Sequence, residues 1–140
     1  MPAVVSNSEV EDCLRSLLEV EGFGLSSRRS HGQTSVDIKA TRGEEVYYIE
    51  SIGYKESGAA RAKDFYEAFF RAVSRLKDGA KHCVIALSAR AEVGLPARAK
   101  QHGVAWLRIA DAFPELEIWL VNTSSRMYKR TSWREWALRA

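Results

Sequence analysis

The sequence predicts a single α/β domain built on one mixed sheet, and three observations predict it. Apolar residues recur at helical spacing in two long segments, 8–21 and 59–77. Two alternating runs, 36–40 and 46–52, flank a turn at Arg42-Gly43-Glu44-Glu45. A continuous apolar run, 83–87, is followed by a helix-like stretch and a second apolar run, 104–109. The hairpin supplies antiparallel pairing and the later β-α-β order a parallel pair, so the sheet is mixed.

In the first helix Val10, Cys13, Leu14, Leu17 and Leu18 form the stripe, Ser8 with Glu11 reads as a capping box, and Gly22 ends the element. Phe23-Gly24-Leu25 starts an extended segment, and Arg28 to Gly32 reads as a basic turn. In the hairpin, Val36, Ile38 and Ala40 alternate with Asp37 and Lys39. The long helix buries Phe65, Phe69, Ala72, Val73 and Leu76, leaves Phe70 off the stripe, and stops at Asp78-Gly79. Residues 83–87 read as a central buried strand, 94–102 as a helix, and 104–109 as a strand. Leu116 to Val121 is a further strand, and Ser132 with Glu135 is a capping box opening a terminal helix.

The chain has 140 residues, 46% hydrophobic and 28% charged, which suits one globular core and excludes a disordered chain. Residues 1–140 therefore read as a single domain, with 122–140 as a basic and aromatic C-terminal extension. No apolar run approaches the ~20 residues that span a bilayer. The N-terminus lacks a basic region followed by an apolar stretch, so the reading is cytoplasmic. Cys13 and Cys83 lie in apolar segments, far from metal-ligand spacing, and read as reduced core residues. No phosphate-binding glycine loop with lysine, CxxC or Gly-x-Ser-x-Gly occurs, which argues against ATPase, zinc-module and esterase chemistry. The net charge of +3 is small but polarised, acidic near the N-terminus and basic near the C-terminus. This suits a basic edge beside an acidic site, and equally a solvated surface.

A four-residue loop at 42–45 sets Thr41 opposite Val46 and Asp37 opposite Glu50, whereas a two-residue loop shifts Glu50 by one pair. Directly opposed Cβ atoms lie about 5 Å apart, and like charges so placed destabilise the pair unless a cation sits between them. Asp37 and Glu50 are therefore candidate ligands for a divalent cation, since hard cations favour carboxylate oxygens. The plainer reading of Asp37 is a polar residue on a half-exposed strand.

The order helix, hairpin, helix, strand, helix, strand resembles the PD-(D/E)xK nucleases, the restriction-endonuclease-like superfamily, in its type IV restriction-enzyme and Holliday-junction-resolvase-like branches. The resemblance spans residues 9–113 and rests on short motifs. These are Glu11 ahead of Gly22-Phe23; Gly32 to Ile38 carrying Asp37; Glu50-Ser51-Ile52 where the family has Glu-x-Lys; and His102-Gly103-Val104. It implies a three-layer α/β/α fold around the sheet. It also implies a magnesium-dependent DNA nuclease with Asp37 and Glu50 on the metal, Glu11 assisting, and a homodimer, because two strands need cutting. The family's lysine position holds Ile52. Lys39, on the strand face of Asp37, and Lys55, beyond the strand end, are the displaced-lysine candidates. Arg28, Arg29, Lys55, Arg61, Lys129 and Arg130 are the candidate nucleic-acid contacts.

Two other readings stand beside this one. Loss of the lysine and the aromatic load of Tyr128, Trp133 and Trp136 suit a catalytically degenerate domain that binds nucleic acid or protein. With a different hairpin register, the chain is an unrelated α/β interaction module. The C-terminal tryptophans themselves read as packing back onto the domain or onto a second subunit.

Overall fold

The computed structural model describes residues 4–28 and 36–139. Its order is α1 (Asn7–Val20), β1 (Gly24–Leu25), β2 (Ile38–Arg42), β3 (Glu45–Ile52), α2 (Gly58–Ser74), β4 (Cys83–Ser88), α3 (Leu95–His102), α4 (Val104–Ala112), β5 (Leu116–Asn122), β6 (Met127–Ser132) and α5 (Trp133–Leu138). Short 3-10 turns follow α2 and β4. The six strands form one sheet in chain order. β1, β2 and β3 are antiparallel neighbours, β3-β4 and β4-β5 are parallel, and β6 returns antiparallel to β5. This is a mixed α/β sheet, antiparallel where the hairpin signal predicts it, with its parallel pairs formed by β3, β4 and β5.

Alternation along the strands builds two cores. Ile38, Ala40, Ile49, Val84, Ala86, Trp119 and Val121 face one way and meet Val10, Cys13, Leu14 and Leu18 of α1. Cys83, Ile85, Leu87, Leu116, Ile118 and Leu120 face the other way, against Phe65, Ala68 and Ala72 of α2 and the indoles of Trp106, Trp133 and Trp136. The chain is thus three layers deep. β4 is buried at every position, as its unbroken apolar run requires for a strand covered on both faces. Among the described residues, no helix is long and apolar enough to cross a membrane.

Several elements differ from the sequence reading. The α1 capping box uses Ser6 and Glu9, not Ser8 and Glu11, so the helix starts earlier and Glu11 lies a full turn inside it. The hairpin turn has only two residues, Gly43 and Glu44, with Arg42 paired to Glu45. The register is nevertheless the expected one, Thr41 on Val46, because the shorter turn simply adds a closing pair in the same frame. Residues 104–109 are helical, within α4, not a strand. Trp106, Ile109, Ala110 and Phe113 recur at helical spacing and line the core, whereas Val104 and Leu107 are exposed. The parallel partner of β4 is therefore β5, reached through two helices.

The C-terminal segment is part of the sheet and core. β6 lies along β5, and Trp133 and Trp136 are buried. Trp106 and Trp133 stack at 3.8 Å, each indole donating to the other's carbonyl, at 2.9 and 3.0 Å. Phe70 projects outward at 70% exposure, off the helix stripe as its position predicts.

Candidate functional site

The carboxyl end of β3 is held by the N-terminal segment. Val5 forms a two-bond bridge with Tyr54, and Asn7 accepts the Gly53 amide at 2.7 Å. Gly53 is required there, because a Cβ would lie 2.6 Å from the Ser6 carbonyl carbon and closer still to the Val5 oxygen. This clamp brings the start of α1 beside the end of β3 and the first turns of α2.

Between these elements lies a cleft of about 360 Å³ lined by Asn7, Glu11, Arg28 and Asp37 on one side and by Ile52, Asp64, Glu67 and Arg71 on the other. Asp37 stands one position beyond the Ile38–Ile49 pair, so the ladder sets it opposite Glu50. Its Oδ2 accepts the Ser51 amide at 2.9 Å, which ties its carboxylate to β3. Glu50 alternates with Tyr48 and Ile52, which pack on the α2 side, and is only 3% exposed. Of the two acids expected as metal ligands, Glu50 lies within β3 and Asp37 in the bend just before β2, and of the two only Asp37 lines the cleft.

The other expected participants are engaged differently. Glu11 Oε2 takes Arg15 at 2.8 Å and Arg28 at 3.4 Å, so it serves as a counter-charge for two guanidiniums. Arg28 also pairs with Asp12. Lys55 pairs with Asp64 at 2.9 Å, which places its ammonium at the cleft margin. Lys39 lies 5.4 Å over the Tyr48 ring and lines a different hollow with Glu44, Lys81 and His82. Ile52, in the lysine's position, presents an aliphatic side chain to the cleft. Arg29 lies outside the described residues.

The basic contacts expected beyond the cleft are likewise placed by the fold. Arg61 donates to the Lys55 and Glu56 carbonyls and covers the Tyr54 ring. Lys129 pairs with Glu92 at 2.7 Å. Arg130 lies over Trp119 at 4.6 Å and donates to the hydroxyls of Tyr47 and Tyr128. Burial pushes both of those hydroxyls up in pKa. Lys129 and Arg130 therefore sit on the β6 side of the sheet, apart from the cleft lining.

Sequence reading missed Arg15, which is 7% exposed and donates to the carbonyls of Ser26 and Asp37 at 2.7 and 2.8 Å. It fixes the backbone that presents Asp37. Its signal was the Glu11–Arg15 spacing of four on one helix face. Asp64, Glu67 and Arg71 were also missed, although their spacing places them on one face of α2.

The donor set suits magnesium of the sparsely liganded kind. Mg2+ is held through one or two carboxylates, with waters and substrate phosphates completing the octahedron. Asp37 and Glu50 are the two carboxylates that could meet that need, and among the described residues no group of three or more His, Cys, Asp or Glu side chains forms an all-protein cage. No protein family, curated protein or solved structure matches this chain.

Proposed function

We propose that the chain is a magnesium-dependent nuclease domain of the restriction-endonuclease type, acting on DNA. The observation that carries this reading is the β2-β3 register, which, extended by one position, sets Asp37 of the open polar cleft opposite the buried Glu50. The element order α1-β1-β2-β3-α2-β4, with β3 and β4 parallel, supports the fold on which the resemblance rests. A bound divalent cation there would acidify a water and neutralise charge on the scissile phosphate.

Asp37 and Glu50 hold the cation in this reading, and the Ser51 amide and Arg15 orient Asp37. Arg28 and Arg71, at opposite walls of the cleft, receive the flanking phosphates. Lys55 is the displaced lysine, since its partner Asp64 lines the cleft and a phosphate oxygen can exchange for that carboxylate. Glu11 acts by holding Arg15 and Arg28 in place.

A second reading, a degenerate domain that binds nucleic acid or protein without cutting it, is favoured by Ile52 and by the engagement of Lys55 with Asp64. Plasmid nicking with Mg2+ or Mn2+ separates the two. Nicking that disappears in Asp37→Asn/Glu50→Gln, with DNA binding retained, supports the nuclease. Metal-independent DNA binding with no nicking by the unaltered chain refutes it and leaves the degenerate module.

A further inference from the structure

We infer that a second hollow, meeting the acidic cleft at Ile52, is a binding site for the phosphate group of a nucleotide. The hollow has a volume of about 340 Å³ and opens where β3 and β4 end, at Ile52 and Leu87, against the first turn of α2 at Gly58. The carboxyl ends of parallel strands are where open α/β sheets characteristically take ligands.

Its charge is one-sided. Arg61, Arg90 and Arg98 line it, and among the described residues no acidic one does. None of these three has an ion-pair partner among the described residues, whereas Arg15, Arg42, Arg75, Arg134 and Arg139 each have one. Three guanidiniums gathered around one cavity repel each other, and an anion in the cavity relieves that repulsion.

Two of the three are already oriented. Arg61 lies 4.5 Å over the Tyr54 ring while its Nη1 donates to the Lys55 and Glu56 carbonyls at 2.7 and 2.8 Å. Arg98 lies 4.9 Å over Phe65 and donates to the Tyr66 hydroxyl at 3.3 Å. Guanidiniums held this way lose little freedom on meeting phosphate oxygens, which their planar fork matches. α2 adds its positive end, since its first turn carries no acidic residue.

The remaining wall selects the ligand class. Ile52, Leu87, Ala91, Val93 and Leu95 are apolar. Inorganic phosphate makes no use of such a surface, but the sugar and base of a nucleotide cover it. The volume lies at the lower end of the ~300–1,000 Å³ range of small-ligand sites, which suits a single nucleotide unit. That unit is either a free mononucleotide or one residue of a strand, and the phosphate chemistry is shared. The inference needs no metal and stands apart from the nuclease reading.

Calorimetric titration of the whole chain in EDTA tests it, using a deoxynucleoside 5′-monophosphate, the matching nucleoside and a short single-stranded oligodeoxynucleotide. The monophosphate or the oligonucleotide binds and the nucleoside does not. Arg90→Gln/Arg98→Gln weakens that binding by about tenfold or more, the loss of at least one charge-assisted hydrogen bond. Asp37→Asn/Glu50→Gln leaves it within about twofold, so failure of the metal site and failure of this site are distinguishable. Binding of the monophosphate assigns the site to a free nucleotide or a strand end, and binding of the oligonucleotide alone assigns it to an internal nucleotide. Because Arg98 also packs on Phe65, the exposed Arg90→Gln alone is the second variant, and it weakens binding with an unchanged melting curve. The inference is overturned if the unaltered chain binds none of the three, if the nucleoside binds as tightly as its monophosphate, or if both arginine variants bind normally.

Discussion

Replacing Arg15 by methionine removes the side chain that joins α1, the strand-1 exit and the Asp37 backbone. The residue is 7% exposed and makes three bonds, to Glu11 at 2.8 Å and to the Ser26 and Asp37 carbonyls at 2.7 and 2.8 Å. Hydrogen bonds from a charged donor contribute about 1.5–3 kcal/mol each, and a buried partner left alone adds a desolvation cost. Arg28 still reaches Glu11 at 3.4 Å, and methionine fills much of the arginine stem's volume, so the sum is discounted. The expected loss is about 3–5 kcal/mol. For a chain of this size, with a urea slope of about 2 kcal/mol/M, the midpoint falls by about 1.5–2.5 M. Arg15→Lys recovers less than half, because an ammonium cannot reproduce a planar three-way fork. A midpoint shift below about 0.5 M for Arg15→Met would refute the reasoning, as it would mean the three bonds are no better than those made with water.

Three further outcomes follow from the packing. Trp106→Phe removes the 2.9 Å bond to the Trp133 carbonyl inside the stacked pair; unfolding free energy drops by about 2–4 kcal/mol, read by urea titration, and a drop under about 1 kcal/mol contradicts it. Gly53→Ala drives a Cβ into the Val5–Ser6 backbone; the Val5–Tyr54 bridge opens, with a cost of about 2–4 kcal/mol and faster amide exchange at Tyr54, and wild-type exchange there counts against it. Burial, reinforced by Glu115 and Glu117, raises the Cys83 thiol from 9.0 to about 11. Its contribution is fully present below pH 9.0 and is lost as pH rises through about 11. Urea titrations from pH 8 to 11 therefore show a decline on the order of 2–3 kcal/mol that Cys83→Ala reduces, and parallel declines in the two proteins would dispose of the assignment.

How much of the site was legible in the sequence depends on the range of the interactions that build it. The Asp37–Glu50 pairing was legible from strand alternation and the position of the glycine turn, although the two-residue turn found here keeps the frame that the sequence reading tied to a four-residue loop. The engagement of Glu11 was only half legible: Arg15 lies four residues away, but Arg28 reaches it from another segment. The facing of Lys39 onto Tyr48 follows from the same β2-β3 register, whereas the pairing of Lys55 with Asp64 was not legible, since it depends on where the start of α2 stands against the end of β3.

By itself the sequence determined the α/β class, the long helices, the buried strand at 83–87 and the terminal capping box, because helix and strand periods and caps are written within a few residues. Only the tertiary structure decided that 104–109 is helical, since a short apolar run suits either element until a core claims Trp106 and Ala110 along one helical face. It alone placed β6 on the sheet, where Lys129 and Arg130 mark an exposed edge with little alternation to read. It alone gathered Arg61, Arg90 and Arg98 around one hollow, because their convergence is produced by parallel strands whose ends meet only after the sheet has formed.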